Sequence, residues 1–184
     1  MGFARREDWA DWLAENHAAS AGIWLQIAKK ASKMQSMSYD EAVEVALCFG
    51  WIDSQAKSYD ESSWLQKFTR RGAKSIWSKL NRERAEKLIE SGQMKPAGLQ
   101  AVEAAKNDGR WDRAYDSPST AEVPPDFQAE LDRNPQAKAF FAALESRNRY
   151  AILHRIQTAK KAETRSKRIQ QFILMLERNE KLYP

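Results

Sequence analysis

Near the start of the chain apolar residues recur at Trp9, Trp12 and Leu13, the spacing of one helical face, so REDWADWLAENH predicts a short helix. GIWLQIAKK then alternates loosely and is rich in β-formers, which predicts a strand ending in a basic turn. Ser38 followed three positions later by Glu41 is a capping-box pattern, in which hydroxyl and carboxylate each satisfy a free backbone N–H at a helix start. That helix is expected to run through Phe49, with Gly50 at the left-handed position that stops it. WIDSQAKSY and SSWLQKFTR are strand-length and flank Asp60 and Glu61, so they read as a hairpin with Trp64, Gln66 and Phe68 on one face. Downstream, Ser78 caps a helix through Ile89 that stops at Gly92, and Pro96 sits in the first turn of another that stops at Gly109. Asn134 and Pro135 repeat the cap-plus-proline start ahead of Phe140, Phe141 and Leu144. Ile169, Phe172, Ile173 and Leu176, at i, i+3, i+4 and i+7, mark the last helix.

These elements predict an α+β fold, a small antiparallel or mixed sheet with packed helices followed by an all-helical C-terminal segment. The expected organisation is an α+β domain over 1–116, a linker or exposed loop over 117–133 and a helical segment over 134–184. The boundary rests on DRAYDSPSTAEVPPDF, whose Ser, Thr and three prolines interrupt any helix that enters it. All seven tryptophans lie before it, so the two parts are built differently.

Composition adds a soluble profile: 184 residues, 42% hydrophobic and 30% charged, with mean hydropathy −0.72. No apolar run approaches the length of a membrane span, and the N-terminus carries acids where a signal peptide needs an unbroken apolar stretch. Cys48 is the single cysteine, so no intramolecular disulfide forms and a reducing, cytoplasmic home is expected. The net charge of +5 is blocked along the chain: acidic over 1–63, basic over 64–95, acidic over 96–132 and basic over 133–184. Two basic blocks meeting in space would favour an anionic partner; apart, they are solvated helix surface.

The series EAVEVALCFGWIDSQ, LQKFTRR, KSIWSKLNRERAEKLIESGQMKPAGL and DGRWDRAYD, and then NRYAILHRIQTAKKAETRSKRI, resembles the YdeI/OmpD-associated, or bacteriocin-protection, family across nearly the whole chain. The resemblance implies a role in resistance to bacteriocins or cationic antimicrobial peptides, with an envelope-linked protein or peptide partner; it supplies no reaction. Two departures stand out. Where such proteins read Phe-Thr-Pro-Arg-Arg, this chain reads Phe68-Thr69-Arg70-Arg71-Gly72, and relatives carry a few more residues, a first strand, before the Trp9 segment.

Candidate chemistry concentrates around ALCFGWIDSQ. Glu41, Glu44 and Cys48 fall on one face of the expected helix and Val43, Ala46 and Leu47 on the opposite one. A catalytic thiolate at Cys48 needs a base or an electropositive setting, and its sequence neighbours are acids, so a buried structural thiol is expected. Two histidines and one cysteine without metal-ligand spacing offer no zinc site. Glu41, Glu44 and Asp53 could together hold a hard cation, but solvated or ion-paired carboxylates are the commoner use. No cofactor motif is present. A binding pocket has more support: the strand bearing Trp51 and Asp53 is followed by one ending in Arg70-Arg71, then by a turn with Lys74, Ser75 and Ser78 around Trp77. The alternative is that Asp53 and Arg71 form only a structural ion pair, and an enzyme using those two residues is a further one. From a different class comes nucleic-acid binding through Lys160, Lys161, Arg165, Lys167 and Arg168, though no nucleic-acid-binding signature accompanies them. The expected function is therefore non-enzymatic stress resistance by binding a protein, peptide or small ligand, without membrane insertion.

Overall fold

The computed structural model describes residues 1–184, which divide into two units: Met1–Trp77 with Asn81–Asp112, and Ser78–Leu80 with Arg113–Pro184. The elements run α1 (Arg6–Asn16), β1 (Ile23–Ala28), α2 (Tyr39–Cys48), β2 (Trp51–Ser58), β3 (Ser63–Arg70), α3 (Lys79–Glu90), α4 (Pro96–Asn107), α5 (Pro125–Arg133), α6 (Pro135–Ala143), α7 (Ser146–Gln157) and α8 (Ala162–Glu177). The fold class is α+β. No helix is long and apolar enough to cross a membrane.

The first unit is organised by a three-stranded antiparallel sheet in the order β1-β3-β2. Ile23 pairs with Phe68, Leu25 with Gln66 and Ile27 with Trp64, so the alternating apolar residues of β1 and β3 share one face. That face meets α1 and α2 in a core built on Trp9, Leu13, Leu25, Leu47, Trp51 and Phe68. Trp9 sets its ring 5.8 Å from Phe68 and 6.4 Å from Trp51, and spends its indole N–H on the Ala42 carbonyl at 3.1 Å. Beside Gln26, Gly2 makes one parallel bridge, so the residues ahead of α1 run along the edge of β1.

Helix α2 begins with the expected capping box: Ser38 Oγ accepts from Glu41 N, and the Glu41 carboxylate accepts from Ser38 N at 2.8 Å. It ends where Gly50 adopts φ +71°. Cys48 is buried, as expected of a structural thiol. Ala42, Val43, Val45, Ala46, Leu47 and Cys48 are all buried, because the last turns of α2 are covered on nearly every side and no polar stripe survives there. The β2–β3 hairpin turns at Asp60, whose Oδ1 accepts from Ser62 N at 2.8 Å and Ser63 N at 2.7 Å. A bulge between Asp53 and Ala56 shifts the β2 register by one residue, so Trp51 and Asp53 face the core side and Lys57 faces the other.

The second unit has its own apolar cluster, in which Phe127, Leu131, Phe141, Ile152, Ile156 and Leu176 are buried. Within the 117–133 segment, expected as linker or exposed loop, residues 117–124 carry no helix or strand, whereas 125–133 form a helix. Pro124 is the N-cap and Pro125 the first residue of α5, whose Phe127 and Leu131 are 0% and 1% exposed. A proline lacks an N–H that the first helical turn does not need, so the same residues that forbid continuing a helix are suited to starting one. Asn134 caps α6 through its side chain, accepting from Ala137 N at 3.1 Å.

Candidate functional site

Strand β3 ends at Arg70, and the chain immediately folds into a tight turn: Ser75 N donates to Gly72 O and Gly72 N donates to Ser75 Oγ, both at 3.0 Å. The turn is clamped from the end of α4. Arg110, only 8% exposed, donates through Nη1 to the Ser75 carbonyl at 2.8 Å and the Gly72 carbonyl at 3.3 Å. Its Nε meanwhile binds the Asp108 carboxylate at 2.6 Å, so the buried guanidinium is paired as well as hydrogen-bonded.

This clamp positions Arg71. Its backbone N–H donates to Gly50 O at 2.9 Å, tying it to the α2–β2 corner, and its Nη1 donates to the Ile76 carbonyl at 3.2 Å. The guanidinium lies over the Trp77 ring at 3.5 Å, and Trp77 meets Trp111 edge-on at 4.9 Å. Lys106 Nζ stands 5.3 Å over Trp111. Trp77 is 2% exposed, yet its indole N–H has no acceptor in the chain. Arg70 and Lys74 are exposed beside it, giving the corner a positive rim.

Of the sequence candidates, Arg71, Lys74, Ser75 and Trp77 are thus brought together on one turn, with Arg70 at its edge. Asp53 has another partner: the Tyr39 hydroxyl donates to its Oδ2 at 2.7 Å, beside Trp64, whose ring is 5.7 Å from that of Tyr39. Burial pushes the Tyr39 hydroxyl well above its usual pKa, and the hydrogen bond to Asp53 adds to the rise. Trp51 is a core residue that gives its N–H to the His17 carbonyl at 3.2 Å. Glu41 is turned back on Ser38, which holds its pKa below the usual range, and Glu44 stands half-buried on α2. Ser78 belongs to the second unit, where it bridges to Tyr115. Arg110, Asp108, Trp111 and Tyr39 were not singled out by sequence reasoning. DGRW places Asp108, Arg110 and Trp111 within four positions, but nothing in that run indicates that Arg110 reaches back to Gly72.

Two other candidates also take defined places. Burial pushes the Cys48 thiol up, against the smaller opposing effects of Arg6 and Lys95, which disfavours thiolate. In the basic run, Arg165 grips Asp126 at 2.6 and 2.8 Å, Lys167 pairs with Glu163 at 2.8 Å, and Arg168 donates to the Arg155 carbonyl. Lys160 and Lys161 remain exposed.

Residues 1–101, more than half of the chain, match the family model described as a domain of unknown function, DUF8412. The chain belongs to the DUF8412 family. Residues 120–179 match a second model, described as bacteriocin-protection, YdeI or OmpD-associated. That match lies within the C-terminal unit and agrees with the resemblance there. The motifs from Glu41 to Arg71 that also carry the resemblance lie within the DUF8412 match, as does the turn bearing Arg71 and Trp77. No curated protein and no solved structure matches the chain.

Proposed function

We propose that this protein contributes to resistance against bacteriocins or cationic antimicrobial peptides by binding a ligand in the cytoplasm, where its single thiol stays reduced, and not by turnover. The ligand class is an acidic group, a carboxylate or phosphate, on a protein or a small molecule. The observation that carries this reading is the clamped turn on which Arg71 lies 3.5 Å over Trp77 beside a buried, unpaired indole N–H. A guanidinium fixed on an aromatic face loses less freedom on binding than a mobile side chain. The domain match over 120–179 supports the biological setting. Support for binding over turnover comes from the depressed reactivity of Cys48 and from Asp53 and Arg71 each having other partners.

The test is Arg71→Gln expressed in cells challenged with a cationic antimicrobial peptide, with Cys48→Ser as control. Arg71→Gln is expected to melt within a few degrees of wild type and to lose protection, whereas Cys48→Ser keeps it. A well-folded Arg71→Gln that still protects overturns the reading.

A further inference from the structure

A cleft lies in the C-terminal unit. It has a volume of about 350 Å³ and is lined by Arg147, Tyr150, Ala151, His154, Arg155 and Tyr183. Five of these six come from α7 at i, i+3, i+4, i+7 and i+8, so a single helical face forms the floor. Small-molecule sites begin at about this size.

The far wall is built, not incidental. Asn148, 3% exposed, takes both backbone groups of Tyr183: its Nδ2 donates to the carbonyl at 3.1 Å and its Oδ1 accepts the N–H at 2.9 Å. The pinned Tyr183 ring then carries the Arg147 guanidinium at 4.6 Å and that of Arg155 at 5.8 Å. Two cations are thereby stationed at one ring. His154 completes the floor between Tyr115, 4.7 Å away and edge-on, and Tyr150 at 5.6 Å. Asp116, whose carbonyl accepts from the Tyr150 hydroxyl at 3.0 Å, has its carboxylate paired with Lys79 at 2.6 Å and hydrogen-bonded by Gln157 at 2.7 Å.

We infer that the Arg147–His154–Arg155–Tyr183 cleft is a binding site for a small aromatic oxyanion, a single ring bearing a carboxylate or a phosphate. The guanidinium edges receive the oxyanion, as forked donors do for both groups. Tyr150, His154 and Tyr183 supply flat walls for the ring, and Ala151 leaves room between them. This site is independent of the Arg71 turn, so the failure of one leaves the other standing. Burial, then Arg155 and Arg168, lowers the pKa of His154, keeping its imidazole neutral near pH 7. An anion seated between the arginines would raise that pKa, which makes His154 the reporter.

His17 and His154 are the only two histidines, so the imidazole Cε1–H resonances of the full-length protein resolve into two signals, assigned with His154→Gln. Phenyl phosphate and benzoate are the probes, and inorganic phosphate and phenol are the controls. Expected is a saturable shift of the His154 signal by phenyl phosphate or benzoate at or below about 1 mM, with His17 unmoved. Which probe binds more tightly identifies the anionic group. Arg155→Gln is expected to weaken binding by about tenfold or more, and Arg147→Gln, at an exposed position that the fold does not need, likewise. The inference is overturned if neither probe moves His154, if His17 moves equally, or if inorganic phosphate binds as tightly as the ring-bearing probes. It is also overturned if folded Arg147→Gln binds like wild type.

Discussion

At the residue scale, Gly50 shows why a left-handed glycine can matter for two separate reasons. Its φ of +71° disfavours any side chain, and a Cβ there would also meet the Ala97 carbonyl of α4 at 2.7 Å. Gly92 has nearly the same φ, +69°, with open space around it. Gly50→Ala is therefore expected to cost more than about 2 kcal/mol and Gly92→Ala only about 1 kcal/mol, both read from urea unfolding. Equal losses would show that the α4 contact contributes nothing. Tyr39 gives a pH prediction. Its folded pKa is raised above the unfolded value of about 10, so its proton stabilises the fold fully below that pH and the contribution is lost as pH climbs through the folded pKa. Tyr150, pushed up to about 12 chiefly by burial, acts in the same direction. Melting temperature is expected to fall above about pH 10, and Tyr39→Phe is expected to shallow that fall.

At the element scale, local signals and local structure agree wherever the signal is a backbone requirement. The Ser38–Glu41 capping box, the Pro96 start of α4 and the Asn134 cap of α6 all form as the sequence implies, because the two caps satisfy orphan N–H groups with atoms a few residues away and Pro96 removes one such N–H. Asn134→Ala is expected to cost about 1 kcal/mol, measured as a loss in the unfolding free energy of the C-terminal unit; a loss below a few tenths would show that water replaces the cap. The helix over 125–133, expected as part of a linker or loop, differs for the opposite reason. Pro124-Pro125 carries the same local meaning in a loop and at a helix start, and only the burial of Phe127 and Leu131 against the C-terminal cluster selects the helix.

At the scale of the whole molecule, charge counts overstate what is available to a partner. Arg165 and Arg168 hold α8 to Asp126 and to the Arg155 carbonyl, and Lys167 pairs with Glu163 one turn away on α8, which leaves few unpaired cations in the C-terminal run to meet phosphates. DNA or RNA binding, assayed by fluorescence anisotropy, is expected to be weak and to vanish by about 200 mM salt; tight binding that survives such salt would reinstate a nucleic-acid role. The sequence by itself determined the α+β class, the hairpin, most helix starts and stops, and the resemblance that the match over 120–179 bears out. These follow from periodicity and backbone hydrogen bonding, which act over a few residues. Tertiary structure decided the rest. Asp53 meets Tyr39, fourteen positions earlier, and Arg110 crosses thirty-eight positions to clamp Gly72. Asn148 fixes Tyr183 from thirty-five positions away. A side chain's partner depends on which elements pack against its own, and that is set by the burial of whole faces, a property no short stretch of sequence contains.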